Sequence, residues 1–294
     1  MNLLKQFPRS VQQFLIDSYG KPLFINKLNG IKAEGGCYRI GFSNHSIIVK
    51  EMTKPQEYLF YNQCSSLLKK FRKNVPSLYR SYKDENKYLI VIEDITYAFP
   101  KERWQADEQI LGALFLFHTE TWGKSLPIEN LYTPKWDRRL TESVLALFSD
   151  KIGSHLQPLL IKAQTEAQQL FKPYCWINAD PNPTNWGVRK DGSVVLFDWE
   201  RITCGSPAID LSITMPGLGT PDNSLELSIA KKYLKMSLTA GLDFPFSEGK
   251  LLQQIKLAKV WSVVEFLDHN TDRLDIDTRQ TILTGLAEKL EQLG

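Results

Sequence analysis

Near residue 96 the hydrophobic periodicity of this chain changes, and that change restricts its fold more than any other feature. Upstream, short apolar runs alternate with turn-forming residues. CYRIGF and HSIIVKEM read as two strands joined at Ser43-Asn44, and SLYRSYKDENKYLIVIEDI reads as two more around the charged turn Lys83-Asp84-Glu85-Asn86. A short amphipathic helix is expected over residues 9–19, and a second begins at Pro55, since proline suits a first helical position, and runs through EYLFYNQCSSLLKKF. Downstream, apolar residues recur at helical spacing in 107–123, 139–171, 224–238 and 249–270, interrupted by one β segment over 174–200. The pattern predicts an α+β chain with a small sheet-based part over 1–95 and a larger helical part over 96–294.

Composition narrows the function class. The 294 residues carry 36 basic and 33 acidic side chains, a net charge of +3, too small to predict a nucleic-acid or membrane surface. No apolar run approaches the ~20 residues that span a bilayer, and the first twenty residues lack the apolar core of a signal peptide. Cys37, Cys64, Cys175 and Cys204 are widely spaced, without the pairing of a zinc site or a disulfide framework; they read as reduced thiols in a cytoplasmic protein.

The segment CWINADPNPTNWGVRKDGSVVLFDWE is the richest in chemistry. Asp180 is followed by Asn185, then by the turn pair Asp191-Gly192, then by a strand ending at Asp198. An Asp-Gly pair between apolar runs is a strong hairpin signal. With those two residues at the centre of the turn, Asn185 falls directly across from Asp198, with β-carbons roughly 4.5–5.5 Å apart. An amide oxygen and a carboxylate at that distance suit one hard cation such as Mg²⁺. Asp180 lies just upstream, in a loop stiffened by Pro181 and Pro183.

This segment resembles the catalytic loop of aminoglycoside phosphotransferases, choline kinases and their relatives, in which H-G-D-x-x-x-x-N precedes a strand ending in D-[WF]-E. The matching residues are Asn178-Ala179-Asp180, Asn185 and Asp198-Trp199-Glu200, and GSPAIDLS resembles the G-x-P-x-x-D-L that follows, with Asp210 as its acid. The resemblance implies a protein-kinase-like two-lobed fold that uses ATP and Mg²⁺. It implies Asp180 as the base at an acceptor hydroxyl, Asn185 and Asp198 as Mg²⁺ ligands, and Asp210 as a support for the loop through backbone hydrogen bonds. Lys50, ending the strand SIIVK, matches the phosphate-binding lysine of kinases, and Glu57 on the next helix is its expected partner. Gly35 and Gly36 stand where a phosphate-covering hairpin belongs, though without a full glycine motif. The backbone from Glu93 to Ile95 matches the strand that meets adenine. His118, in LGALFLFHTETW, reads as a packed core histidine. Only eleven residues separate Asp198 from Asp210, too few for the activation segment of a protein kinase.

Two departures from the motif matter. Asn178 stands in place of the loop histidine and Ala179 in place of the glycine after it. They motivate a rival reading, a nucleotide-binding pseudokinase that serves as a scaffold. For the acceptor, Trp261, Glu265, Asp268 and Asp272 share one helical face at spacings of four, three and four. An aromatic ring beside three carboxylates predicts an amine-bearing alcohol; a solvated acidic stripe is the competing reading. The expected partner is a small-molecule hydroxyl substrate, and the oligomeric state is left open.

Overall fold

The structure is a computed structural model, which describes residues 4–28, 35–84, 87–129, 132–218, 223–242 and 244–293. In chain order it contains α1 (Arg9–Tyr19), β1 (Phe24–Leu28), β2 (Cys37–Gly41), β3 (Ser46–Met52), α2 (Gln56–Leu59), β4 (Leu78–Asp84), β5 (Lys87–Glu93), β6 (Tyr97–Ala98), α3 (Glu108–Glu120), α4 (Arg138–Leu145), α5 (Asp150–Ala167), β7 (Cys175–Ile177), β8 (Trp186–Val188), β9 (Val194–Leu196), β10 (Thr203–Gly205), α6 (Pro207–Ile213), α7 (Asn223–Thr239), α8 (Glu248–Asn270) and α9 (Ile276–Glu291). The chain divides into two compact units. One comprises Met1–Ala98, Pro127–Asn130 and Gly187–Glu200; the other comprises Phe99–Leu126, Leu131–Trp186 and Arg201–Gly294. No helix among the described residues is long and apolar enough to cross a membrane.

The first unit is built on an antiparallel sheet of order β1-β2-β3-β5-β4. The alternation of β3 and β5 sends Ile47, Val49, Leu89 and Val91 to one face, where they pack against Leu4, Phe7, Val11 and Leu15 in and before α1. Burial of each such side chain contributes ~1.5–3 kcal/mol, which is what holds a short amphipathic helix to a sheet. The helix after Pro55 is less regular than its sequence predicts: α2 is four residues long and continues as a π-helical turn, Phe60–Cys64. The wider turn accompanies burial of Phe60, Tyr61 and Cys64 together.

The hairpin of β8 and β9 corrects the register read from sequence. The Arg189 N–H donates to the Ser193 carbonyl at 2.9 Å, and the Gly192 N–H donates to the Arg189 carbonyl at 2.9 Å. Its loop is therefore the three residues Lys190, Asp191 and Gly192, with Gly192 left-handed at φ 83°. A turn followed by a left-handed glycine is the bulged alternative to a two-residue turn, and it displaces the pairing by one position. Paired positions in β8 and β9 are therefore one off those a two-residue turn would give, and the turn-based register that set Asn185 across from Asp198 loses its basis. Asn185 closes a 3-10 turn, Pro183–Asn185, and Asp198 follows β9 with φ 63°.

The second unit is helical around α8. Leu251, Ile255, Leu257, Ala258, Val260, Trp261, Val263, Val264 and Leu267 are all buried, so this helix is apolar on nearly every side and lies inside the unit. The run expected as one helix over 139–171 is two, α4 and α5, broken before Asp150. A two-stranded pairing of β7 with β10 leads into the loop that carries Asp180 and into α6.

Candidate active site

In the first unit, Lys50 stands on β3 between Cys37 of β2 and Ile90 of β5. Its ammonium forms an ion pair with Glu57 of α2 and donates to Asp198 Oδ1 at 3.0 Å. Glu57 is 2% exposed, and the Trp199 backbone N–H also reaches its carboxylate. Burial alone would depress the Lys50 amine, but the two adjacent carboxylates outweigh it and hold the group above its ordinary range. Lys50 is thus a fixed cation with two anionic partners. Asp198 owes its place to Trp199, whose indole is buried against Phe60 and Phe71.

The strand expected to meet adenine is tied down at its end. Arg189 holds Glu93 through two hydrogen bonds, at 2.6 and 2.8 Å, and Glu93 also accepts the Ser77 N–H at 3.0 Å. Burial favours the neutral form of Glu93, but Arg189 and the Ser77 N–H hold its carboxyl below the usual range. Arg39 pairs likewise with Asp94, at 2.8 and 2.9 Å. Glycine is required at 187, where a β-carbon would fall 2.4 Å from the Ile95 side chain. The same holds at Gly35, where a β-carbon would lie 1.9 Å from the Glu51 carbonyl oxygen. The Gly36 carbonyl accepts the Glu51 N–H at 2.7 Å, fixing that glycine pair to the end of β3.

In the second unit the loop around Asp180 is braced from beneath. Asp210, fully buried on α6, accepts the backbone N–H of Asn178 at 3.0 Å and of Ala179 at 2.8 Å. His118 of α3 bridges from Asp210, at 3.0 Å, to the Tyr233 hydroxyl of α7, at 2.8 Å. Asn178 Oδ1 accepts the Asp180 N–H at 3.0 Å, so the asparagine braces the loop with its own side chain. Ala179 takes the left-handed conformation, φ 61°, that a glycine would adopt without cost. Beyond the aspartate, Asn182 Nδ2 donates to Asp180 Oδ1 at 2.9 Å and Asn185 Nδ2 donates to the Asp180 carbonyl at 2.9 Å.

The acidic helical face proposed for the acceptor does not survive. Trp261 is fully buried, donates to the Lys135 carbonyl at 3.0 Å and packs edge-on against Phe171. Glu265 is engaged by Arg201 and the Tyr132 hydroxyl. Asp268 accepts two hydrogen bonds from Arg139, both 2.9 Å, and one from Ser143 at 2.8 Å. Asp272 lies beyond α8 in a short 3-10 turn and is exposed. Two of the three acids are neutralised by arginines and the ring is core, so the cluster offers no site for an ammonium group.

Sequence reasoning missed those two arginines, Arg189, and the Tyr132–Arg201–Glu265 cluster. Arg201 stacks on Tyr132 with its guanidinium carbon 4.2 Å from the ring centre, and Asp180 is close enough to add to the field at Arg201. Burial pushes the Tyr132 hydroxyl up despite that guanidinium. Arg201 follows directly on Asp198-Trp199-Glu200, the one sequence signal that could have marked it.

No family model matches the chain, and no curated protein matches its sequence. Solved structures do match over nearly its whole length. Spectinomycin phosphotransferase APH(9)-Ia, in complex with ADP and spectinomycin, is 12% identical with a TM-score of 0.62, covering 97% of this chain and 98% of that one. The choline kinase LicA from Streptococcus pneumoniae is 17% identical with a TM-score of 0.58, over 95% and 98%. A candidate fructosamine-3-kinase from Haemophilus somnus 129PT is 12% identical with a TM-score of 0.58, over 96% of each. At these identities the likeness establishes the fold, which is protein-kinase-like, of the kind found in aminoglycoside phosphotransferases and choline kinases.

Proposed function

We propose that this chain is an ATP- and Mg²⁺-dependent phosphotransferase acting on a hydroxyl group of a small molecule. The observation that carries this reading is the Lys50 ammonium, held on β3 by Glu57 and by Asp198. A buried ion pair is weak as a stabilising device, and this ammonium holds a second carboxylate, Asp198, as well as the buried Glu57, which supports a role for the lysine beyond stability. Lys50 takes the nucleotide phosphates, and the backbone from Glu93 to Ile95 takes the adenine. Gly35 and Gly36 lie beside the phosphate-binding strand.

The donor set fits a hard divalent ion. Among the described residues no three His, Cys, Asp or Glu side chains gather into a metal cage, and Mg²⁺ characteristically binds through one or two protein oxygens together with substrate phosphates. Asp198, which already holds one cation in Lys50, and the amide oxygen of Asn185 are the residues that would hold it. When bound, the ion neutralises charge developing on the phosphate oxygens. Asp180 accepts the acceptor's hydroxyl proton as the new phosphorus–oxygen bond forms; the bond to the bridging oxygen breaks, and its electron pair leaves with ADP. The named neighbours are a spectinomycin phosphotransferase, a choline kinase and a candidate fructosamine-3-kinase. With Trp261 in the core and Glu265 and Asp268 paired to arginines, nothing favours an amine-bearing acceptor over a neutral one.

The scaffold reading rests on Asn178 and Ala179, and the bracing of the loop by Asn178 Oδ1 and Asp210 speaks for the enzyme. Calorimetric titration with Mg-ATP, followed by a transfer screen over amino alcohols, aminoglycosides, sugars and nucleosides, tests the proposal. Wild-type protein should bind Mg-ATP and phosphorylate one class. Asp180→Asn should bind equally well and turn over ~10²–10⁴-fold more slowly, the usual contribution of a general base. Binding without transfer or ATP hydrolysis would count for the scaffold instead.

A further inference from the structure

Lys259 is a lysine with almost no access to water: it is 3% exposed, in the middle of α8. Its Nζ lies 3.5 Å from the Ser212 carbonyl and 3.4 Å from the Met215 carbonyl. Those carbonyls belong to the C-terminal end of α6 and the turn after it, where the helix leaves its last carbonyls without intrahelical partners and carries a partial negative charge. The other end of α6 is held by the same helix: Ser206, the N-cap, donates to Gln254 Oε1 of α8 at 2.8 Å while accepting the Ala208 N–H. Between the two attachments stands Asp210, whose carboxylate accepts the Asn178 and Ala179 amides. α8 therefore grips α6 at both ends, and α6 carries Asp210, the side chain that takes both backbone amides just before Asp180.

We propose that Lys259 is a positioning residue for the loop that carries Asp180: its ammonium anchors the C-terminal carbonyls of α6 and, through Asp210, fixes the Asn178 and Ala179 amides. The importance of that loop for phosphate transfer rests on the function proposed above; the mechanical link does not. The cost of the arrangement supports it. Burial is the main influence pushing the Lys259 amine down, to about 8, and Lys289 of α9 adds to it. Glu226 of α7 opposes them, but it is already paired to Lys289. α6 presents only carbonyl oxygens to Lys259, its one acid, Asp210, being bound to the loop and to His118. A buried cation with no carboxylate of its own is expensive, and a methionine would fill the same space. What the methionine would lack is the donor for the α6 carbonyls.

Amide hydrogen exchange resolved at Asn178 and Ala179 tests the link without requiring an acceptor. At pH 7, where Lys259 is charged, both amides of the wild-type protein, corrected for intrinsic exchange, should be protected at least tenfold more than in Lys259→Met. Lys259→Arg, which keeps a cation and its donors, should keep both amides protected. His118 also touches Asp210 but is common to all three proteins, so the differences between them isolate Lys259. Equal protection of the two amides in wild-type protein and Lys259→Met overturns the proposal; if Lys259→Met fails to fold, the same comparison with Lys259→Gln, which keeps a polar side chain without the charge, decides in its place. Where a phosphate acceptor is in hand, Lys259→Met should lower kcat with the ATP KM unchanged. Amides that respond as stated in a protein that transfers no phosphate would uphold the anchor and remove only the catalytic reading.

Discussion

Trp199 lies flat on Phe60, ring centroids 4.0 Å apart and planes 11° from parallel. This stack joins the helix that carries Glu57 to the segment that carries Asp198, the two acids that share Lys50. Both rings are fully buried, and the Trp199 indole N–H is satisfied by the Leu196 carbonyl at 3.1 Å. Asp198 itself is left-handed, a conformation that costs a residue with a β-carbon ~1–2 kcal/mol and persists only if its surroundings impose it.

Trp199→Ala should therefore act on stability and on nucleotide binding together. Loss of the indole should cost about 3–5 kcal/mol, with some of the strain at Asp198 released as the segment relaxes. Trp199→Phe, which keeps a ring on Phe60, should cost much less. Urea denaturation gives the first quantity and Mg-ATP titration the second. A Trp199→Ala protein of wild-type stability would mean that the stack does not hold this segment.

Lys50→Ala separates the binding role from the structural one. It leaves Glu57 buried without its cation, and breaking a buried pair costs about 3–5 kcal/mol. Adding Glu57→Gln removes the stranded charge and should recover much of that loss. Mg-ATP affinity should fall at least tenfold in Lys50→Ala and stay low in the double variant. Recovery of affinity along with stability would show that Lys50 serves the fold and not the phosphates.

Lys50, Glu57 and Asp180 stood out because each sits at a fixed offset within a local pattern: a strand end, a first helical turn, a motif. The hairpin register did not, because Lys190-Asp191-Gly192 is compatible with a two-residue turn or a bulged three-residue loop; only the hydrogen bond from Arg189 to Ser193 distinguishes them. The Trp261 face was misread because helical spacing identifies which residues share a side, not whether a helix has an exposed side at all. Gln254 and Lys259 of α8 are buried too, although neither residue type signals burial. The arginines that neutralise Asp268 and Glu265 come from 129 and 64 residues away, and no local pattern reports such partners.

Lys259 should make the folded protein more stable as pH rises above neutrality. Its folded-state value is pushed down to about 8 from an ordinary 10.5. Between those limits the unfolded chain binds more protons than the folded one, so stability rises with pH across that window, by at most ~1.4 kcal/mol per pH unit. Below pH 8 the penalty is fully present. Lys259→Met should remove it, raising Tm at pH 7 and flattening the profile between pH 8 and 10, even as it loosens the loop. Thermal melts of both proteins across that range measure the difference; parallel profiles would show that Lys259 is not the group responsible.

Cys37 offers a label for nucleotide occupancy. It is the cross-strand partner of Lys50, so the two side chains leave the same face of the sheet, and it is only half-buried. Burial is the main influence on its thiol, and with Glu57 and Asp198 it outweighs Lys50 and pushes the value up to about 11. Roughly one thiol in a thousand is then ionised at pH 8, against about a quarter for an ordinary cysteine. Alkylation should accordingly be slow. If nucleotide phosphates settle on Lys50, Mg-ATP should slow it further at Cys37 while leaving the rate at Cys204, the other half-buried cysteine, unchanged. Mass spectrometry of maleimide-treated protein follows both sites in one experiment. Equal slowing at both would reflect a general tightening of the protein, and no slowing at Cys37 would count against nucleotide binding over this face of the sheet.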